Sequence, residues 1–316
     1  MMIVLDPAQT ATALPWEPLI DAVSEIFANP CVMPMRHHHE MEVPGAEPAT
    51  LLLMPAWLPG LYSGVKLVSV FPSNGTKGLP AVQGSYLLSS GETGELLAVI
   101  DGGELTARRT AAASALAARH LARPDASVML MVGTGRLALN LMQAHATVRP
   151  LQRFLVWGRS RDKAEDTVTQ ARALGFQASV ALDLEAAVRV ADIISCATLS
   201  TIPLVHGAWL KRGCHLDLVG AFKPSMRESD DDAMRLGHVY VDTFEGACAE
   251  AGDIVQALES GALIREEIRG ELAGLVTGSC AGRTDDAAVT VFKSVGAACE
   301  DLAGAVLAYE TARAER

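Results

Sequence analysis

A continuous apolar run, Val128–Val132, ends at a glycine-containing turn, Gly133–Leu137, and a segment compatible with a helix begins at Ala138. Such a run is typical of a buried parallel strand. The two glycines of the turn permit a tight bend and a close approach of the backbone to a phosphate group. A second strand-like run, Arg153–Gly158, follows at the spacing of a βαβ unit, and strands then alternate with helices to about residue 245. The pattern therefore predicts a dinucleotide-binding unit.

The N-terminal part of the chain has a different pattern. An amphipathic helix is predicted over Pro15–Ala28, because its large apolar residues fall on one helical face. A β meander follows, in which aliphatic runs alternate with turn residues. The four predicted strands are Leu51–Trp57, Gly64–Phe71, Ala81–Ser89 and Glu95–Ile100. An alanine-rich helix, Glu104–Arg123, ends at Pro124 and indicates a domain boundary near residues 118–125.

Beyond the second strand of the βαβ unit, strand-like and helical runs continue to the end of the chain. Fourth and fifth strands are predicted over Ala191–Thr198 and Cys214–Val219, and another over His238–Asp242. Parallel sheets bind ligands at the carboxyl ends of their strands, so the loops after the fourth and fifth strands should border the dinucleotide. A long helix is predicted over Val289–Thr311, returning to pack on the N-terminal domain.

Composition narrows the class of protein. The chain has 316 residues, half of them hydrophobic, and a net charge of −11, so it lacks the basic surface that nucleic acids require. No apolar run reaches the length of a membrane span, and the first ten residues lack the pattern of a signal peptide. Six scattered cysteines indicate reduced thiols of a cytoplasmic protein. We therefore expect neither a nucleic-acid nor a membrane partner.

Three consecutive histidines, His37–His39, invite interpretation as a metal site. Neighbouring side chains of an extended segment point to opposite faces, however, and no other histidine or cysteine cluster in the sequence has ligand spacing. We predict a solvated strand or the edge of a pocket here, and no metal site. The three aspartates Asp230–Asp232 are expected to begin a helix.

The end of the second strand of the βαβ unit bears on the choice of cofactor. An NAD site usually has an acidic residue there, which accepts a hydrogen bond from the ribose 2′-hydroxyl. This chain instead has Arg159, Ser160 and Arg161, which suit a 2′-phosphate. The sequence therefore favours NADPH, with NADH possible. The alternative is that both arginines are solvated residues at the start of the next helix.

Lys66 is an unusual residue in the meander, because it lies inside a predicted strand between Val65 and Leu67. The strand pattern leaves two alternatives open: its ammonium group faces solvent, or it points into a pocket. The choice between them depends on the wider set of motifs.

That set resembles the ornithine cyclodeaminase/mu-crystallin family over nearly the whole chain. It consists of Arg36 in Pro-Met-Arg, Lys66 in Gly-Val-Lys, an Arg-Thr-Ala-Ala helix, the glycine turn, and the segment Gly220–Glu228. The most similar branch holds the ketimine reductases. These enzymes reduce Δ1-pyrroline-2-carboxylate or Δ1-piperideine-2-carboxylate.

The resemblance implies an α/β fold in which a Rossmann dinucleotide-binding domain is inserted into an α/β substrate-binding and dimerisation domain. The substrate domain would comprise residues 1–118, completed by a C-terminal helix over 292–316, and the Rossmann domain residues 119–291. The resemblance also implies a homodimer, with the active site between the two domains.

The resemblance assigns the substrate carboxylate to Arg36, Lys66 and Arg109, which favours a pocket for Lys66. Three cations that converge in a cleft are costly unless an anion completes the site. Residues of the glycine turn, the 2′-phosphate segment and the nicotinamide end would bind the cofactor. The predicted cofactor-binding residues are Ser85, Gly133, Thr134, Gly135, Arg136, Leu137, Arg159, Ser160, Arg161, Thr198, Leu199, Val219 and Ser294.

One departure from the family pattern bears on the reaction. The deaminating branch has an aspartate base two residues after its Gly-Gly or Gly-Ala, where this chain has Phe222, which cannot accept a proton. The acid that cyclodeaminases use for the distal ammonium of ornithine is also missing, since residues 50–53 are Thr, Leu, Leu and Leu. We therefore predict an NAD(P)H-dependent reductase of cyclic α-imino acids that forms L-proline or L-pipecolate.

Two other classes of function stay open at this stage. One is another reaction of the family: ornithine cyclisation, alanine dehydrogenation, or hydroxyproline dehydration with Ser85 as the acid. The other is a protein that binds NADPH and a small anion without turnover.

Overall fold

The computed structural model describes residues 2–314, which form two compact units. One unit runs up to Thr110 and resumes at Ala297, and the other is Ala111–Gly296. The first bound falls eight residues before the expected boundary at 118, inside a long helix. The second falls at 297 rather than 292, because the residues before it form a strand of the second unit.

The first unit contains a sheet and the helices that cover it. Its elements up to the boundary are β1 (Ile3–Leu5), α1 (Pro7–Thr12), α2 (Trp16–Ala28), β2 (His37–Met41), β3 (Ala49–Leu58), β4 (Tyr62–Val70), β5 (Val82–Ser90), β6 (Leu96–Asp101) and the first part of α3 (Gly102–Leu121). The strand order is β1-β6-β5-β4-β3-β2, antiparallel except for β1 beside β6. The amphipathic helix and the four-stranded meander are thereby confirmed.

The second unit is an eight-stranded parallel sheet with helices between the strands. Its elements are β7 (Val128–Val132), α4 (Ala138–Val148), β8 (Arg153–Trp157), α5 (Arg161–Ala173), β9 (Ala178–Val180), α6 (Leu184–Val190), β10 (Ile193–Cys196), β11 (His215–Leu218), α7 (Asp231–Leu236), β12 (His238–Val241), α8 (Phe244–Glu250), α9 (Gly252–Ser260), β13 (Gly270–Glu271), α10 (Leu272–Thr277) and β14 (Thr290–Lys293). Single-turn or two-turn 3-10 helices occupy Pro72–Lys77 in the first unit and Gly207–Trp209 and Arg265–Glu267 in the second.

The strand order of this sheet is β13-β12-β14-β11-β10-β7-β8-β9. The chain moves outward from β7 through β8 to β9, then returns to the other side of β7 with β10 and continues outward through β11. This reversal beside β7 is the arrangement of a Rossmann fold and leaves a crevice at the carboxyl ends of β7 and β10. The fold class expected from the sequence is confirmed.

The helix predicted over Val289–Thr311 is wrong in its first part. Thr290–Lys293 is β14, which pairs in parallel with both β11 and β12. Gly296 then adopts a positive φ of 86°, and the helix α11 (Ala298–Ala314) begins two residues later. A run of four residues, Thr-Val-Phe-Lys, is too short for its periodicity to distinguish a strand from the start of a helix.

The helix α11 belongs to the first unit, where it packs against α2 and the strands β3 and β4. Its first turns are buried on all sides and consist mostly of small residues. Position 304 requires glycine, because a Cβ atom there would come within 2.7 Å of the Leu105 side chain. Across residues 2–314, no helix is both long and apolar enough to cross a membrane.

Candidate active site

A cavity of about 350 Å³ lies in the crevice of the second unit, at the carboxyl ends of β7, β8 and β10. The loops that follow these three strands form most of its wall. The lining residues are Gly133, Thr134, Gly135, Trp157, Gly158, Arg159, Ser160, Lys163, Ala197, Thr198, Leu199, Ser200 and Leu204. The cavity therefore occupies the position at which a parallel sheet of this topology binds a dinucleotide.

The glycine turn has the geometry that a bound pyrophosphate needs. Gly133 adopts a φ of 121° and donates its N–H to the carbonyl oxygen of Trp157 at 2.8 Å. A Cβ atom at Gly133 would lie 2.6 Å from the carbonyl oxygen of Ala197, whereas one at Gly135 would meet nothing within 4 Å. Gly135 thus leaves open space beside the turn, where a phosphate group can come close to the backbone. These residues fit a dinucleotide cofactor.

We expect Gly133→Ala to weaken NADH binding by about tenfold or more, because strain and overlap at such a φ cost about 1–3 kcal/mol. Titration of NADH fluorescence measures the dissociation constant. Gly175→Ala is a matched control, since Gly175 also has a positive φ of 90° but its Cβ would meet nothing within 4 Å. An equal loss of NADH affinity in both variants would show that the turn is not the cofactor site.

Part of the predicted cofactor-binding set lines this cavity. Besides the two glycines, Thr134, Arg159, Ser160, Thr198 and Leu199 do so. Arg136 and Leu137 follow in the same turn, outside the lining residues, and Val219 and Ser294 are buried just after β11 and β14. Ser85 lies in the other unit, exposed on β5. The cofactor contacts of these residues stay predictions.

The predicted 2′-phosphate segment divides into residues with different roles. Ser160 is the N-cap of α5, where its hydroxyl accepts the N–H of Lys163. Arg161 begins that helix and pairs with Glu165 at 2.8 Å, with 70% of its side chain exposed. Arg159 lines the cavity, as does Lys163, which the sequence reasoning missed. Lys163 could have been found as the next basic residue along the same turn.

A buried cluster of four charged side chains lies in the first unit. Lys66 on β4 approaches Asp301 on α11, with Nζ at 2.9 Å from Oδ1 and 2.7 Å from Oδ2. Arg109 on α3 reaches the same carboxylate through Nε at 2.8 Å, and reaches Glu300 through Nη1 at 2.6 Å. Each of the four residues is at most 4% exposed. The burial of Lys66 removes the solvent-facing alternative.

Packing within the sheet holds Lys66 in this position. Lys66 stands opposite Met54 on β3 and Tyr86 on β5 in the antiparallel register. A Cβ atom at Gly64 would overlap the ring of the buried Tyr86, so this glycine leaves the space that the ring fills beside Lys66. Thr106 on α3 accepts a further hydrogen bond from Nζ at 3.4 Å.

Burial and neighbouring charges set the protonation of the two cations. Burial lowers the pKa of Lys66 to about 8, with Asp301 opposing this effect and Arg109 reinforcing it. Burial also disfavours the charged form of Arg109, but the carboxylates of Asp301 and Glu300 more than offset this and raise its pKa. The Lys66 ammonium group can therefore lose its proton at a lower pH than an exposed lysine does, whereas Arg109 stays charged.

The carboxylates of the cluster were missed by the sequence reasoning, which expected only an external anion to balance the cations. Asp301 and Glu300 supply two negative charges of the chain's own. The available signal was an acidic pair in an otherwise small and apolar helical run, Ala298–Ala303. Arg36, the third predicted cation, is half-buried one residue before β2, the strand that pairs with β3.

Two further predictions concern side chains at strand ends and edges. Phe222 is 43% exposed in the segment after β11, where the deaminating branch would need an acid. The three histidines form the exposed edge strand β2, as predicted. Within the part of the chain that the structure describes, no group of histidine, cysteine or acidic residues is arranged to hold a metal ion.

Comparison with known proteins agrees with this architecture. The Δ1-pyrroline-2-carboxylate reductase of Paracoccus denitrificans is 38% identical over 259 residues, 82% of each chain. The solved structure of Thermococcus litoralis Δ1-pyrroline-2-carboxylate reductase with NADH and L-proline has a TM-score of 0.92 and 32% identity, and covers 99% of this chain and 98% of that one. An archaeal alanine dehydrogenase dimer with bound NAD has a TM-score of 0.90 and 30% identity, covering 99% and 97%.

The sequence pattern of one family matches residues 8–316, which is almost the whole chain. The match includes both structural units and the helix that returns to the first of them. The chain belongs to the ornithine cyclodeaminase/mu-crystallin family.

Proposed function

We propose that this protein is a nicotinamide-dependent reductase of cyclic α-imino acids, with Δ1-pyrroline-2-carboxylate as a substrate. The observation that carries the proposal is the buried pair of Lys66 and Asp301, because it places an ammonium group with a pKa of about 8 inside the substrate domain. Relatives named for this reduction support the choice of substrate.

The reaction requires one hydride and one proton. C2 of the C=N bond accepts the hydride, the ring nitrogen receives the proton, and the products are the cyclic amino acid and the oxidised cofactor. When bound, the reduced nicotinamide supplies the hydride. The protein's residues have to orient the imine and provide the proton, since an iminium carbon is already electrophilic.

Arg36, Arg109 and Lys66 hold the substrate carboxylate in this proposal. Asp301 and Glu300 use two of the five N–H donors of Arg109, so its guanidinium keeps donors for an additional carboxylate. Lys66 is the proton donor, and Asp301 holds its ammonium group in place. Gly133, Thr134 and Arg159 hold the cofactor in the second unit.

The deciding experiment follows oxidation of NADH and NADPH with Δ1-pyrroline-2-carboxylate and with Δ1-piperideine-2-carboxylate. We expect turnover of the five-membered imine, and propose that the six-membered imine is reduced to pipecolate as well. Release of ammonia from ornithine, reduction of pyruvate with ammonia, or dehydration of hydroxyproline without imine reduction would overturn the proposal. Cofactor binding without any turnover would favour the non-catalytic alternative.

We propose NADPH as the preferred cofactor, held at its 2′-phosphate by Arg159. Arg159→Ala should raise KM for NADPH by about tenfold, as expected for a charge-assisted contact, and leave KM for NADH nearly unchanged. Arg161→Ala is the control, since Arg161 pairs with Glu165 and should have a smaller effect. Equal effects on both cofactors would contradict the assignment.

We further propose that the protein acts as a homodimer in the cytoplasm, in proline metabolism. The dimeric relative supports the first part. Sedimentation equilibrium should give twice the mass of one chain, and a monomer at micromolar concentration would contradict it.

A further inference from the structure

Glu228 is a fully buried carboxylate in the segment after β11. Its Oε1 accepts hydrogen bonds from the N–H of Thr198 at 2.7 Å and from the Thr198 hydroxyl at 2.8 Å. Its Oε2 accepts the N–H of Gly220 at 2.7 Å. Both oxygens therefore act as acceptors only, which is the pattern of an ionised carboxylate.

These three bonds join two loops of the crevice. Thr198 follows β10 and lines the cofactor cavity, and Gly220 follows the neighbouring strand β11. The loops lie so close together that a Cβ atom at Gly220 would overlap the backbone of Thr198. A single side chain farther along the segment after β11 thus joins two strand ends beside the cavity.

A buried acidic residue holds the backbone of Glu228, and a buried lysine lies beside that acid. Asp253 at the start of α9 accepts the N–H of Glu228 and of Ser229, each at 2.9 Å. Lys293 on β14 places its Nζ 3.5 Å from Asp253, and both side chains are fully buried. Burial raises the pKa of Glu228, whereas Lys293 acts in the opposite direction.

We propose that Glu228 is a positioning residue for the cofactor, because it fixes the loops after β10 and β11 against each other while the buried pair of Asp253 and Lys293 supports it. The inference rests on the proposed function in that the cofactor is a nicotinamide dinucleotide bound in this cavity. Glu228 acts through Thr198 and Gly220, and it does not line the cavity.

Glu228→Gln tests the proposal. The substitution replaces one carboxylate oxygen by an NH₂ group, which cannot accept a hydrogen bond from the backbone N–H that faces it. We expect the dissociation constant of NADH to rise by about tenfold or more, as expected for buried donors left without an acceptor. NADH fluorescence titration gives this value without any imine present. It therefore tests the inference even if the wild-type protein binds NADH but reduces no imine.

Asp192→Asn is the matched control. Asp192 is also a buried carboxylate that accepts two backbone N–H groups, from Ser127 and Val128, and pairs with a lysine, Lys211 at 2.6 Å. It lies at the amino end of β7 and β10, opposite the cavity. We expect Asp192→Asn to lower the unfolding midpoint and leave NADH affinity within about twofold. Unchanged affinity in Glu228→Gln, or an equal loss in both variants, would overturn the proposal.

Lys293→Met provides a second test should Glu228→Gln not fold. Without the lysine, Glu228 takes up a proton more readily, so NADH affinity should fall as the pH is lowered and recover as it is raised. The other titratable groups that interact with Glu228 are Asp253 on α9 and Cys196 on β10. If NADH affinity is independent of pH between about 6 and 9 in both Lys293→Met and the wild type, the role of Lys293 is contradicted.

Discussion

Lys66→Met should reduce kcat/KM for imine reduction by about a hundredfold or more, the range expected when a positioned proton donor is removed. Methionine fills a similar volume but carries no proton and cannot bind a carboxylate. The dissociation constant of NADH should change by less than about twofold, because Gly133, Thr134 and Arg159, which hold the cofactor in this proposal, lie in the other unit. Steady-state kinetics and NADH titration measure the two quantities separately.

The pH profile gives this prediction a second readout. With a pKa of about 8, Lys66 is protonated below that pH, so kcat/KM in the wild type should fall as the pH rises through about 8. Lys77→Met is a suitable control, since Lys77 is an exposed lysine of the same unit. If Lys66→Met keeps more than about a tenth of the activity, Lys66 is not the proton donor.

Asp301→Ala should destabilise the protein by about 3–5 kcal/mol, the cost of removing one partner from a buried ion pair. The substitution leaves Lys66 without its carboxylate and removes one of the two acidic partners of Arg109. Urea denaturation followed by circular dichroism measures the change in unfolding free energy.

An exposed ion pair supplies the control for this prediction. Glu185 pairs with Arg189 across one helical turn, with both side chains about half exposed, so Glu185→Ala should cost about 0.5 kcal/mol or less. If the two variants lose similar amounts of unfolding free energy, the buried cluster does not stabilise the protein more than an exposed ion pair does.

The sequence was sufficient to predict elements whose signal is local. The glycine turn could be read from one strand-to-helix transition, because only glycine tolerates the φ of 121° at position 133. The meander was equally accessible, since its strands are long and separated by turn residues. The resemblance also marked Lys66 and Arg109 as members of one site.

Elements whose identity depends on distant partners could not be predicted in the same way. The short run Thr290–Lys293 is a strand because β11 and β12 lie on either side of it. Asp301 looked like an ordinary helical acid, although it is 235 residues from the lysine it neutralises. Glu228 is the last residue of the motif Gly220–Glu228, and its bonds to Thr198 and Gly220 form only when the loops meet.

The sequence by itself determined the amphipathic helix, the meander, the glycine turn of the parallel sheet and the choice of family, because these depend on residue types at short, regular spacings. Only the tertiary structure decided how the buried charges are balanced, with Asp301 and Glu300 facing Lys66 and Arg109 and with Lys293 near Asp253. The physical reason is that burying a charge is tolerable only beside an opposite charge, and the partner can come from any part of the chain.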